Sequence, residues 1–197
     1  MLRKIGLITV CAASAFAMHN AELNLNDKDL EFGVKFDMGQ YNENIEPENI
    51  LVGGKILHAS DDHSDLGRGR AIDDLLEANM LVQTKVEGSD STFGLGVKFN
   101  YTQDFSSIPV GLEVRHHIDV IERFPIFIKG LLYYAPEVLS FRDAANFFEY
   151  RVEGEVEVMK NAGAILGYRS IDTNYATGRG GDVNYNSSVY LGLKFAF

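Results

Sequence analysis

Val189-Tyr190-Leu191-Gly192-Leu193-Lys194-Phe195-Ala196-Phe197 closes the chain. Successive side chains of a strand point to opposite faces, so Val189, Leu191, Leu193, Phe195 and Phe197 share one face. Tyr190, Gly192, Lys194 and Ala196 share the other. One face is wholly apolar; the other is small or polar and carries a charge. The segment stops on an aromatic ring beside a free carboxylate, an ending for which a soluble strand has no need.

The same alternation recurs upstream. A short segment, Ala21 to Asn26, is followed by Leu30 to Met38, Ile50 to His58 and about Ile72 to Val86. Phe93, Leu95, Val97, Phe99 and Tyr101 then alternate with Gly94, Gly96, Lys98 and Asn100. Val110, Leu112 and Val114 face away from Glu113, Arg115 and His117, and Ile126, Ile128, Leu132 and Tyr134 away from Lys129. Phe148, Tyr150, Val152, Gly154, Val156 and Val158 alternate without a break with Glu149, Arg151, Glu153, Glu155 and Glu157. Ala164, Leu166 and Tyr168 oppose Gly163, Gly167 and Arg169. With the terminal segment this makes about ten strands, an even number that brings both chain ends to one side of a closed sheet. Turns at 39–49, 87–90, 119–124 and 160–161 then fall on the side of the termini. Those at 26–29, 59–70, 103–108, 135–146 and 172–184 fall on the other, with a short helical turn expected over Leu139–Ala145. The long 39–49 segment sits awkwardly on the side where turns should be short.

Near the N-terminus, Arg3 and Lys4 precede an apolar stretch, Ile5 to Ala15, and Ala15-Phe16-Ala17 fits a small-x-small cleavage site. The stretch falls short of the roughly 20 residues a membrane helix needs, so 1–17 reads as a removable export signal and 18–197 as one domain. Cys11, the sole cysteine, lies inside that signal, and the exported part has no disulfide. Without Arg3 and Lys4, 16 of the 18 basic residues remain against 28 acids, a formal charge of −12. So acidic a chain is a poor partner for nucleic acid.

Charge assigns the two faces. Lys35, Lys55, Lys85, Lys98, Arg115, Lys129, Arg151, Arg169 and Lys194 lie opposite the apolar faces, as do Glu31, Asp37, Glu77, Glu113, Glu149, Glu153, Glu155 and Glu157. Nine cations against eight carboxylates is near neutrality, which an enclosed lumen requires, because an unpaired buried charge costs several kcal/mol. Gly94, Gly96, Gly111, Gly163, Gly167 and Gly192 on that face leave room for long side chains. Phe36, Tyr101, Tyr134, Tyr168 and Phe197 stand near strand ends on the apolar face, as an interfacial girdle would. The expected fold is all-β: a single antiparallel up-and-down transmembrane β-barrel of about ten strands in the bacterial outer membrane, surrounded by its lipid. A soluble exported barrel with an apolar core is the competing reading of the same alternation.

Tyr133-Tyr134-Ala135-Pro136-Glu137-Val138-Leu139-Ser140-Phe141, then Glu149-Tyr150-Arg151, Leu166-Gly167-Tyr168-Arg169 and the Leu191–Phe197 ending resemble the YfaZ family of outer-membrane proteins. The likeness covers residues 130–197 well and the first hundred by pattern only. It implies a small outer-membrane barrel, and it carries no catalytic residues to transfer. Barrels of this class end in an aromatic strand that the barrel-assembly machinery reads, which gives Phe195 and Phe197 an expected role as assembly signal.

Two constellations bear on function. Lys129, Glu149, Arg151, Glu153, Glu155, Glu157, Arg169 and Lys194 form an expected lumen charge network, either an ion-paired filling or the lining of a narrow channel. His58, Asp61, Asp62, His63 and Asp65 cluster on one outer loop, where an outer-rim enzyme or lipid-handling site would activate water or hold a divalent ion. A solvated acidic loop has the same composition, and the spacing matches no calcium-loop pattern. No cofactor cradle is legible. The expectation is therefore a non-enzymatic barrel of envelope-structural or narrow-channel type, with the rim site as the alternative.

Overall fold

Alternation of apolar and polar side chains becomes strand wherever it persists for five or more residues. In a computed structural model describing residues 19–59, 73–119, 124–175 and 183–197, twelve strands follow in chain order: β1 (Asn20–Leu25), β2 (Asp29–Asp37), β3 (Ile50–Ala59), β4 (Leu75–Lys85), β5 (Ser91–Tyr101), β6 (Phe105–Ser107), β7 (Val110–Ile118), β8 (Ile126–Ala135), β9 (Ser140–Arg142), β10 (Ala144–Met159), β11 (Ala162–Tyr175) and β12 (Val183–Ala196). The proposed export signal, 1–17, lies outside the described residues.

Setting β6 and β9 aside, the remaining ten strands form an antiparallel meander, and β1 closes it by pairing with β12 from Asn20↔Ala196 to Leu25↔Leu191. Closure leaves the barrel no edge, so every strand finds its hydrogen bonds within the sheet. The weak first segment is thus the strand that completes the ring. Asn26 closes the turn after it: its Oδ1 accepts from the amides of Lys28 at 2.8 Å and Asp29 at 2.7 Å.

The described chain ends meet at one end of the barrel, where His19 N donates to Phe197 O at 3.1 Å and Phe197 N to His19 O at 2.9 Å. The long 39–49 segment lies at that end, and one buried carboxylate pins it. Asp37 accepts from Gly39 N at 2.9 Å and from Glu48 N at 2.8 Å. Its carboxylate so holds both ends of an eleven-residue excursion that periodicity alone leaves unexplained.

Three expectations about the opposite end are corrected. The helical turn expected at Leu139–Ala145 is instead a single 3-10 turn, Glu137–Leu139, followed by strand β9 on β6. Ser140 Oγ donates to Pro136 O at 3.1 Å, which ends the turn and turns the chain into the strand. The 172–184 loop is narrower than expected, because β11 runs to Tyr175 and β12 starts at Val183, with a bulge between Ile171 and Asp172. Likewise the 103–108 loop contains β6.

The faces separate as charge assigned them. Lys98, Glu149, Arg151 and Arg169 are buried inside, whereas Leu95, Val189 and Leu191 are more than 60% exposed outside. Lys85 is the exception among the seventeen charged positions expected inside: it ends β4 exposed. Charges within and a continuous apolar belt without is the inverse of a water-soluble protein and satisfies hydrocarbon surroundings. This is an outer-membrane-type barrel, and the soluble reading does not fit its surface.

Candidate functional site

The lumen divides into three layers. At the middle, β2 turns Glu31 inward and β10 turns Arg151 to meet it across the barrel. Arg151 Nη1 and Nη2 donate to Glu31 Oε1 and Oε2, each at 2.6 Å, a bidentate fork. Arg169 on β11 brings Nη1 within 2.6 Å of Glu31 Oε2, and Asn24 Nδ2 donates to Oε1 at 2.9 Å. Arg151 Nε reaches Glu149 at 2.7 Å, whose other oxygen accepts from Lys98 Nζ at 2.6 Å. Lys98 lies 3.1 Å from Glu77, and Lys55 lies 3.6 Å from Glu77 and 3.8 Å from Glu31. Arg169 Nε donates to Asn186 Oδ1 at 3.0 Å, and Asn186 in turn donates to Asp29. Glu31, Glu77, Glu149 and Asp29 thus face Lys55, Lys98, Arg151 and Arg169, a neutral plate drawn from β2, β3, β4, β5, β10 and β11.

Toward the chain termini the pairing loosens. Lys129 sits 3.5 Å from both Glu113 and Glu153, Lys35 sits 3.6 Å from Glu113, and Arg115 sits 3.6 Å from Glu155 and 4.0 Å from Glu157. Lys194 Nζ donates to Glu155 at 2.8 and 3.0 Å. Two tyrosines floor this layer: Tyr133 OH donates to Glu113 at 2.9 Å and Tyr190 OH to Glu153 at 2.6 Å. Each ring crosses glycines, Gly96 and Gly111 under Tyr133 and Gly167 under Tyr190, where a Cβ would strike the ring. Gly96, Gly111 and Gly167 are therefore rests for two tyrosines, while Gly163 leaves room for the charged side chain of Glu155. Below them a cavity of about 200 Å³, lined by Glu22, Lys35, Lys129, Glu153 and Glu157 among others, opens at the end of the termini.

The opposite mouth holds an apolar stopper. Phe105 of β6 is wholly buried among Leu57, Leu75, Phe147, Ile171 and Tyr185, its ring 5.5 Å from that of Tyr185 and 6.1 Å from that of Phe147. β6 and β9 form a strap that folds inward to carry it. Arg142 fastens the strap: its φ of 66° lies in the left-handed region, and its Nη1 donates to Gln103 O at 2.9 Å. A side chain other than glycine at that φ costs about 1 kcal/mol or more, offset here by the bonds it makes.

The structure distributes the expected network over two layers. Lys129 with Glu153, Lys194 with Glu155, and Arg151 with Glu149 are neighbours as pairs within the expected set. Arg169 meets Glu31, not the β10 ladder, and Glu157 meets Arg115. Sequence reasoning placed Glu31, Lys55, Glu77 and Lys98, now in the central plate, and Glu113 and Lys35, in the looser layer, inside but did not join them to the network; parity marked their face, and nothing local marked which strand lies across. Phe195 and Phe197 point outward, half exposed, with Phe197 edge-on to His19 at 5.8 Å. At the rim, exposed His58 lies 2.6 Å from Asp74; Asp61, Asp62, His63 and Asp65 lie outside the described residues. No group of three or more His, Cys, Asp or Glu is disposed to hold a metal among the described residues.

No protein-family model matches the chain, and no curated protein does. Among solved structures it is similar to a KdgM porin at 7% identity and a TM-score of 0.45, covering 91% of this chain and 98% of that one. It is also similar to the outer-membrane expressed OmpT of Vibrio cholerae at 11% identity and a TM-score of 0.34, covering 86% of this chain and 56% of that one. A solute crossing the lumen would have to part both the fork on Glu31 and the Phe105 stopper.

Proposed function

We propose that this chain is a sealed, non-enzymatic β-barrel of the bacterial outer membrane that serves the envelope structurally, exported by residues 1–17 and inserted by the barrel-assembly machinery. The fork between Arg151 and Glu31, joined by Arg169, carries the reading, because it crosses the lumen with all three side chains nearly inaccessible to solvent. The resemblance of residues 130–197 to the YfaZ family is in keeping with it.

A narrow-channel reading draws on the cavity at the terminal end, whose loosely paired ammonium and carboxylate groups would line a solute path. Single-channel recording separates the two. The chain from residue 18 onward, refolded and inserted into planar bilayers, is expected to leave them silent while migrating as a heat-modifiable barrel on gels. Discrete conductance steps from the unmodified chain would overturn the sealed reading in favour of the channel.

A further inference from the structure

On the outer surface of β10, β11 and β12 the outward residues align in rows. Phe148, Asp172 and Asn184 form one row; Tyr150, Ser170 and Ser187 the next; then come Val152, Tyr168 and Val189, and after them Gly154, Leu166 and Leu191. The first two rows, farthest from the termini, hold two aromatic rings, three hydroxyls, an amide and a carboxylate, with the Ser170 hydroxyl buried beneath its neighbours. Below them the surface turns apolar. The polar rows are knit together: Ser170 Oγ donates to Asp172 at 2.9 Å, Asn184 Nδ2 donates to Asp172 at 2.6 Å, and Tyr168 OH shares a hydrogen bond with Ser187 Oγ at 3.0 Å. Phe148, Tyr150 and Tyr168 step along the rows with successive ring centroids 5.8 Å apart.

We infer that this patch seats the sugar of an outer-leaflet glycolipid. Its place decides the kind of partner: the rows continue the lipid-facing belt without interruption, so the molecule beside them is a lipid and its polar head lies at their level. Its chemistry decides the class of head. A phosphate site would show Arg or Lys, and neither occurs in these rows, since Arg151 and Arg169 point into the lumen. Hydroxyls, an amide and a carboxylate are donors and acceptors suited to sugar hydroxyls. Tyrosine and phenylalanine rings offer faces on which the C–H side of a pyranose stacks.

Native mass spectrometry of the refolded chain from residue 18 onward, in detergent, tests this with three probes: a rough-type lipopolysaccharide, phosphatidylglycerol and the free core oligosaccharide. Tyr150→Leu with Tyr168→Leu keeps an apolar surface but removes rings and hydroxyls; it should weaken lipopolysaccharide retention about tenfold and leave phosphatidylglycerol unchanged. Asp172→Asn should weaken it several-fold. Unchanged retention, or equal loss of both lipids, would overturn the proposal, as would free oligosaccharide binding as tightly as the glycolipid. If the tyrosine variant loses its heat-modifiable gel shift, Asp172→Asn alone decides. The inference rests on the membrane reading, whose own failure would be read separately as absence of barrel insertion into vesicles.

Discussion

Glu31→Gln is the sharpest perturbation the lumen offers. The wild-type carboxylate is 2% exposed and receives two Arg151 bonds at 2.6 Å, an Arg169 contact at 2.6 Å and an Asn24 bond at 2.9 Å. Glutamine keeps the volume and one acceptor but removes the charge, leaving the buried guanidinium of Arg169 without its carboxylate contact and that of Arg151 with Glu149 alone. Breaking a buried pair from one side costs about 3–5 kcal/mol, a large share of the 5–15 kcal/mol typical of a folded domain. Urea titration of the barrel in lipid vesicles would report it, read by the heat-modifiable gel shift and by tyrosine fluorescence, since the chain has nine tyrosines and no tryptophan. Arg151→Met in the Glu31→Gln background completes a double-mutant cycle, and because the pair is in direct contact the coupling should reach about 2 kcal/mol. Burial also shields the pair from ions, so the loss should persist at molar salt, unlike that of a surface bridge. A loss below about 1 kcal/mol, or additive single losses, would show that the plate does not hold the barrel together and would refute the reasoning.

Phe105→Ala should cost about 3–5 kcal/mol through the void left among Leu57, Phe147 and Tyr185, seen as a lower urea midpoint. Because the plate beneath remains, the same variant should leave planar bilayers silent; conductance from it alone would make the strap the only barrier. Gly111→Ala should reduce the yield of heat-modifiable barrel, since the new Cβ meets backbone Leu132 O as well as the Tyr133 ring, and backbone cannot yield as a side-chain tip does. Phe197→Ser should slow membrane assembly in an assembly-machinery reconstitution while shifting the equilibrium midpoint little, because the ring is already half exposed in the folded barrel; equal effects on rate and midpoint would make it a packing residue only.

Period-two alternation carried most of the fold into plain view. Glu149, Arg151, Glu153, Glu155 and Glu157 needed no partner information to be placed on one face, because geometry alone sends alternate side chains the same way. Partners were another matter. Glu31 and Arg151 are separated by 120 positions, and which strand lies opposite depends on the number, tilt and stagger of all ten. The strap was hidden for a different reason: β6 and β9 have three residues each, too few to display a period. The outer reaches of β11 and β12 look like loop because polar residues crowd both faces there, Asp172, Thr173 and Asn174 in one strand and Asn184, Asn186 and Ser187 in the other, and a bulge between Ile171 and Asp172 breaks the period. Asp37, which pins the 39–49 excursion, reads as one more inward charge until its two amide partners are seen.

Buried ion pairs are weak stabilisers, and an apolar filling of the same volume would often do as well. The charges in this lumen have a second consequence. A one-residue slip of a barrel strand exchanges its faces, and for β10 it would put Glu149, Arg151, Glu153, Glu155 and Glu157 into lipid. Arg at the bilayer midplane costs about 2–4 kcal/mol, with carboxylates somewhat less. An apolar lumen would carry no such penalty, and its strands could settle in several registers. It would also turn β10 and β11, joined by a two-residue turn, into an apolar run longer than the roughly 20 residues that define a membrane helix. With charges at alternate positions the whole chain keeps a mean hydropathy of −0.08. The plate around Glu31 thus fixes register in the membrane, and the same charged residues keep the unfolded chain from resembling a helical membrane protein before it gets there.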